Sequence, residues 1–219
     1  MARKISRESS LDHALTLFWD NGFRGTSMDM LTAALGVEKP SIYSNFGSKK
    51  GLYLEALESY HVMLRSRIAS GLQSDVSARD GLDRVMNELM APSNAAIRRG
   101  CLATNSALEI ADLDPEIRSR IKETFDDLLG LFTQAIRRGQ QDGSIRDDRP
   151  AGALAQFLLS CFGGVRVLEK TGVDAPHWSE AARLALSVLD APAAPRSGKS
   201  GPASKAKAAP RRKPKALRA

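Results

Sequence analysis

A chain of 219 residues can form one substantial core or two modest ones. Hydrophobic residues make up 42% and aromatics 5%; Val, Ile and Tyr are sparse while Ala, Leu, Arg and Glu are plentiful, which favours helices over sheet and argues against a carbohydrate or aromatic-cage site. The net charge of +7 comes from the tail, because residues 191–219 hold nine Lys/Arg and no Asp/Glu, leaving 23 basic against 25 acidic residues, or −2, in residues 1–190. Residues 1–50 carry seven basic and five acidic residues, so any case for specific DNA binding rests on a helical motif and not on the isoelectric point. No apolar run reads as long enough to span a membrane, and no signal-peptide core follows the N-terminal basic residues. The expectation is a cytoplasmic protein with Cys101 and Cys161 reduced.

Arg3, Lys4 and Arg7 precede or open the first predicted helix and are candidates for phosphate contact. Leu11, Ala14, Leu15, Phe18 and Trp19 then form one apolar stripe, ended by Asn21-Gly22, with Phe23 placed to fold back on the core. Thr26 and Ser27 compete to cap a short helix from Met28 to Leu35. Gly36-Val37 makes a corner, and a second short helix runs from Glu38 or Lys39 to Asn45 with Pro40 in its first turn, where a missing N–H costs nothing. Phe46-Gly47 ends it, and Ser48 caps a longer helix from Lys49. Two short helices across a tight corner, the second polar on one side, form a helix-turn-helix.

Thr26, the Gly36-Val37 corner, Ser41-Ile42-Tyr43, Phe46, the Ser48-Lys49 pair and Leu52 together resemble the DNA-binding domain of TetR/AcrR-family transcriptional regulators. The resemblance covers about thirty positions, from Thr26 to Ala56, and weakens beyond residue 65. It implies an all-α fold with an N-terminal three-helix head, a helical effector-binding and dimerisation body, and a homodimer on double-stranded operator DNA. The expected division is 1–48 for the head, 49–190 for the body and 191–219 for a basic Pro/Ala-rich disordered tail.

Ile42 and Phe46, four apart, turn inward together. The resemblance assigns DNA contact to the remaining arc: Pro40, Ser41, Ser44 and Asn45 at base edges or the groove wall, Tyr43 at the backbone through its hydroxyl, and Lys39 at a phosphate or a guanine edge. Thr26 and Lys49 are further phosphate candidates, the first at a helix N-terminus and the second as a charged amine that positions the duplex without reading it.

Beyond the head, helical stripes run through Tyr60, Met63 and Leu64 towards Gly71, from Ser77 to Met90, and through Cys101, Leu102, Asn105, Leu108 and Glu109. Asp114-Pro115 opens a long helix bearing Ile117, Ile121, Phe125, Leu128, Leu129, Phe132 and Ile136, terminated by Gly139 and then Gly143. Leu154, Phe157, Leu158, Cys161, Phe162, Val165 and Leu168 form the next stripe, whose Gly163-Gly164 suggests close backbone packing, and a last helix covers about His177 to Leu189. The resemblance makes these final helices a dimer interface, with Leu154, Leu158, Cys161, Val165, Trp178, Ala181 and Ala185 as candidates. It also implies a small-molecule effector pocket, for which Met86, Met90, Leu102, Asn105, Phe125, Phe132 and Phe157 are candidates.

Ligand-released repression is the expected mechanism, with activation as the alternative. Cys101, after Arg98-Arg99-Gly100 at a helix start, offers a thiol-based redox or electrophile sensor as a second alternative. No cofactor is implied. His13, His61 and His177 are far apart and the cysteines lack CxxC spacing, so no metal array is legible. No nucleophile-base-orienter set suggests an enzyme. The basic tail suggests salt-dependent support of DNA binding, or, as a competing reading, an architectural DNA protein.

Overall fold

The computed structural model describes residues 7–73, 77–91, 99–171 and 178–191. Helix α1 (Arg7–Gly25) buries Ala14 and Phe18 on the predicted stripe, with Leu11, Leu15 and Trp19 partly covered. Its regular path breaks at Gly22, where φ is 74° and ψ 177°, a conformation that favours glycine. The break turns Phe23 back onto the core, its ring 4.9 Å from that of Tyr53. Helix α2 (Met28–Leu35) is capped by Ser27, whose hydroxyl accepts the Met30 N–H at 3.1 Å, and ended by Gly36 at φ 61°. Helix α3 (Lys39–Phe46) follows with Pro40 in its first turn and Ile42 buried in the core.

Helix α4 (Lys49–Leu72) is capped by Ser48, which accepts the Gly51 N–H at 3.0 Å. It runs through a single core that is continuous from head to body. Leu52, Tyr53 and Ala56 are fully buried near the head, while Leu64, Ile68 and Leu72 are buried within the body. Helices α5 (Ala78–Met90), α6 (Leu102–Glu109), α7 (Pro115–Asp142), α8 (Ala151–Lys170) and α9 (Trp178–Leu186), with a 3-10 turn at Ser187–Leu189, complete an all-α bundle. Within it α7 packs along α8, and α4 packs on α1, α5 and α7. Asp114 caps α7 by accepting the N–H groups of Glu116 and Ile117, and Gly143 closes it at φ 77°.

Several expectations change here. Gly139 does not terminate α7; it lies inside the helix, where a Cβ would stand 2.4 Å from Ile145 Cδ1, so its bareness lets the following loop fold back. Gly163 and Gly164 meet nothing within 4 Å, so no close packing within the protomer explains them. Helix α8 is long and apolar enough to cross a membrane by length and composition, contrary to the reading of the sequence, although 39% of its most apolar window is buried in the bundle. Leu154 and Leu158 of α8 point into the protomer core and are not free for a partner. The face of α8 left uncovered instead carries Phe157 at 46% exposure and Leu168 at 52%, close to Leu184 of α9 in kind at 61%. Of the other interface candidates, Ala185 is buried, Cys161, Val165 and Trp178 are half-buried, and Ala181 is exposed.

Candidate nucleic-acid interface and the cavity behind it

The exposed arc of α3 is built by one short helix whose inward side is fixed by Ile42 and, partly, Phe46. Lys39, Pro40, Tyr43, Ser44 and Asn45 are exposed and Ser41 is half-buried, so the six expected contacts share one surface. They are pre-ordered among themselves. Ser44 and Asn45 both donate to the Ser41 carbonyl, at 3.0 and 2.7 Å. Lys39 is held 2.6 Å from Asp29 of α2, and this hydrogen-bonded carboxylate raises the pKa of its amine.

Thr26 departs from its expected role. It is fully buried, and its hydroxyl donates to the Gly22 carbonyl at 2.7 Å, closing the broken end of α1; the cap of α2 belongs to Ser27. Its hydroxyl is therefore turned inward, onto the backbone of α1. Lys49 is half-buried with its ammonium 4.6 Å from the centre of the Phe23 ring, and desolvation lowers its pKa while Glu109 opposes that shift. Arg7 stacks over Phe46 at 5.3 Å and pairs with Glu55 at 2.7 Å. Arg3, Lys4 and the tail from residue 192 lie outside the described residues.

The contact that Glu109 makes between body and head was not anticipated in the sequence. Glu109, at the last residue of α6, accepts the backbone N–H groups of Phe23 at 3.0 Å and Arg24 at 2.7 Å. Those donors are stripped of helical partners by the break at Gly22. A carboxylate at a helix C-terminus opposes the helix dipole, which is a sequence-level sign of a partner elsewhere. Around it, Tyr53 of α4 shares a 2.6 Å hydrogen bond with Ser106 of α6; burial pushes its phenol up to about 12. Lys50 bridges to Asp114 and Glu116 at 2.8 and 2.7 Å. Trp19 donates its indole N–H to the Gly100 carbonyl at 3.2 Å, and Arg99 pairs with Asp20 at 2.6 Å.

Directly behind this joint lies a cavity of about 460 Å³, within the size range of small-molecule sites. Its wall is shared between the head, through Trp19, and the body, through Tyr60, Leu89, Cys101, Phe162 and Arg166. None of the seven residues expected to line a pocket lines it. Met86, Met90, Leu102 and Phe132 are plain core, Phe157 is on the outer face of α8, and Phe125 lines a shallow cleft between α7 and α8. Asn105 donates to the Arg99 carbonyl at 2.8 Å, bracing the loop that forms one wall. Cys101 is buried, and its sulfur accepts the Tyr60 hydroxyl at 3.2 Å; burial, first, and Cys101 hold the Tyr60 phenol well above its usual pKa. No group of metal-ligating side chains occurs among the described residues.

Comparison with known proteins places these features. A family model described as "Bacterial regulatory proteins, tetR family" matches residues 11–56, and one described as "Tetracyclin repressor-like, C-terminal domain" matches residues 78–184. The transcriptional repressor DhaR of Mycobacterium sp. (strain GP1) is 30% identical over 164 residues, 75% of this chain and 82% of DhaR. The uncharacterized regulator YezE of Bacillus subtilis is 26% identical over 185 residues, 82% of this chain and 94% of YezE. A cysteine-mutant form of the TetR-family regulator CifR, solved with 26-base-pair operator DNA, superposes with a TM-score of 0.78 at 29% identity, covering 87% of this chain and all of CifR.

Proposed function

The chain belongs to the TetR family and is a sequence-specific DNA-binding transcriptional regulator, and from that premise we propose that it is a ligand-released repressor acting as a homodimer on a palindromic operator. The α3 arc of Lys39, Pro40, Ser41, Tyr43, Ser44 and Asn45 supplies the groove contacts, and Lys49 swings off Phe23 to a phosphate. DhaR, a repressor by name, supports the direction of control, and CifR on its operator supports the docking mode.

The observation that carries the reading is the shared wall of the cavity, with Trp19 from the head on one side and the start of α6 on the other. Helix α6 begins at the cavity and ends at Glu109, which grips the head through Phe23 and Arg24. An effector in the cavity favours a different seating of α6 and Trp19, and thereby a different spacing of two heads. A coupling of ~1–3 kcal/mol changes operator affinity ~5–150-fold. The second copy seats on the uncovered stripe of α8 and α9 (Phe157, Leu168 and Leu184), with Cys161, Gly164 and Ala181 on its margins. A two-fold pair sets the recognition helices about one DNA turn apart, ~34–36 Å.

A reporter promoter bearing the operator tests the direction of control. Expression falls when the regulator is supplied and recovers when the cavity is filled; expression that rises on supplying the regulator overturns repression in favour of activation. A thiol-sensor reading is kept because Cys101 lines the same cavity. Under that reading, peroxide or a small alkylating electrophile releases operator DNA from the intact protein and not from Cys101→Ser.

A further inference from the structure

The cavity wall carries three guanidinium groups, of Arg67, Arg99 and Arg166, against one carboxylate, of Glu88. Arg99 and Arg166 are neutralised from behind, by Asp20 at 2.6 Å and Glu169 at 2.7 Å, neither of which lines the space. A ligand inside therefore meets the cationic side of those pairs. The rest of the wall is apolar and aromatic, from Trp19, Tyr60, Leu64, Leu89 and Phe162.

Arg166 is the decisive group. It sits near the C-terminal end of a largely apolar helix and is 8% exposed. One terminal nitrogen donates to Glu169 at 2.7 Å, and the other donates to the carbonyls of Leu89 and Ala91. Its Nε–H is buried, has no acceptor and presents no surface to the cavity, so a ligand meets it only as the guanidinium turns towards the open space. A charged donor shut away from water without a partner is unfavourable, and an acceptor delivered by a ligand relieves that cost. A carboxylate is the acceptor that best matches a guanidinium, through a charge-assisted hydrogen bond. An ammonium ligand instead faces three cations and a single, half-exposed carboxylate.

We infer that the cavity binds a small amphipathic monocarboxylate with an aromatic or branched apolar body, its carboxylate accepting the Arg166 Nε–H and its body lying against Trp19, Tyr60 and Phe162. This rests on reading the cavity as the effector site and names the chemistry of the effector.

The test uses the full-length protein and three matched probes, 4-tert-butylbenzoate, 4-tert-butylbenzamide and 4-tert-butylbenzylammonium, titrated calorimetrically. The benzoate is expected to bind at least tenfold more tightly than the amide, with the ammonium weakest. Arg166→Lys, which keeps the charge and removes Nε, should abolish that tenfold preference. Because Arg166 is buried, the intact protein supplies a second readout: the Nε–H resonance of Arg166 in a nitrogen-15 correlation spectrum moves downfield with benzoate and not with the amide. Equal or tighter binding of the amide or the ammonium, no binding of the benzoate, or an unmoved Nε–H resonance overturns the inference. Operator affinity measured alongside separates the two readings. Benzoate binding with the expected pattern and no loss of operator affinity defeats the effector reading alone, whereas release by the ammonium alone defeats the carboxylate class alone.

Discussion

Glu109 reaches across from the end of α6 to the N–H of Phe23, 3.0 Å away, and so joins the regulatory body to the head at the point where α1 breaks. Its second oxygen takes the Arg24 N–H at 2.7 Å. Removing the carboxylate orphans two backbone donors in a partly covered place. Glu109→Ala is expected to destabilise the protein by about 1–3 kcal/mol and to speed amide exchange at Phe23 and Arg24 before the rest of α1. Urea unfolding and exchange measured by mass spectrometry check both parts, and unchanged exchange at those two amides counts against the joint.

Gly22→Ala attacks the same place from the other side. A Cβ at Gly22 would lie 2.5 Å from Glu109 Oε2, on a residue whose φ is already +74°. Backbone strain alone costs of order 1–3 kcal/mol, and the carboxylate must also shift. A lower melting temperature is expected, accompanied by weaker operator binding, because the head loses its seat. Calorimetry and a mobility-shift titration read the two effects.

The Lys39–Asp29 pair makes a sign prediction for DNA affinity. In the free chain the amine is held by Asp29 at 2.6 Å, a contact that competes with a phosphate or base edge. Asp29→Asn should therefore tighten operator binding several-fold at low salt, while Lys39→Ala weakens it and lowers the salt slope by about one counterion. Opposite signs from the two variants, measured by fluorescence anisotropy over a salt series, are the signature.

Tyr53 gives a pH dependence. Its folded-state pKa stands near 12 because burial disfavours the phenolate, while the unfolded value is the ordinary 10. The neutral phenol's contribution is fully present below pH 10 and is lost as pH rises from 10 towards 12, since the unfolded chain releases the proton first. Tyr53→Phe is expected to flatten this part of the stability profile in urea unfolding, while lowering stability at pH 7 through loss of the 2.6 Å bond to Ser106.

Adjacent residues of α8 separate folding from assembly. Leu158 is fully buried and Phe157 is 46% exposed. Leu158→Ala is expected to cost about 2–5 kcal/mol of protomer stability. Phe157→Asp should leave the helical fold intact and shift sedimentation from a dimer to a single chain.

The head was legible because its signals are local. The stripe through Ala14 and Phe18, the glycine corner at Gly36, Pro40 in the first turn and the Ser48 cap are all decided within a few residues of chain. The choice between Thr26 and Ser27 as the cap stayed open because two hydroxyl residues in succession satisfy the same capping pattern, and only the break at Gly22 supplies Thr26 with another acceptor. The pocket was illegible for the opposite reason. Its wall draws on α1, α4, α5, α8 and the residues leading into α6, so apolar periodicity marked the core residues Met86 and Phe132 as readily as a lining. One sign was available: Arg166 and Glu169, three apart in an apolar helix, need each other and a buried setting. The exposed side of α8 was illegible from periodicity as well, because the helix is apolar around most of its circumference, and Leu158 and Phe157 cannot be told apart by hydrophobicity.

Selection from a random pool of DNA duplexes by the intact protein, repeated with Tyr43→Phe/Lys49→Ala, tests the central claim most directly. The account predicts an approximately palindromic site with half-sites one helical turn apart, bound more weakly by the double variant with its sequence preference retained. Recovery of duplexes with no shared sequence by the intact, folded protein would contradict it.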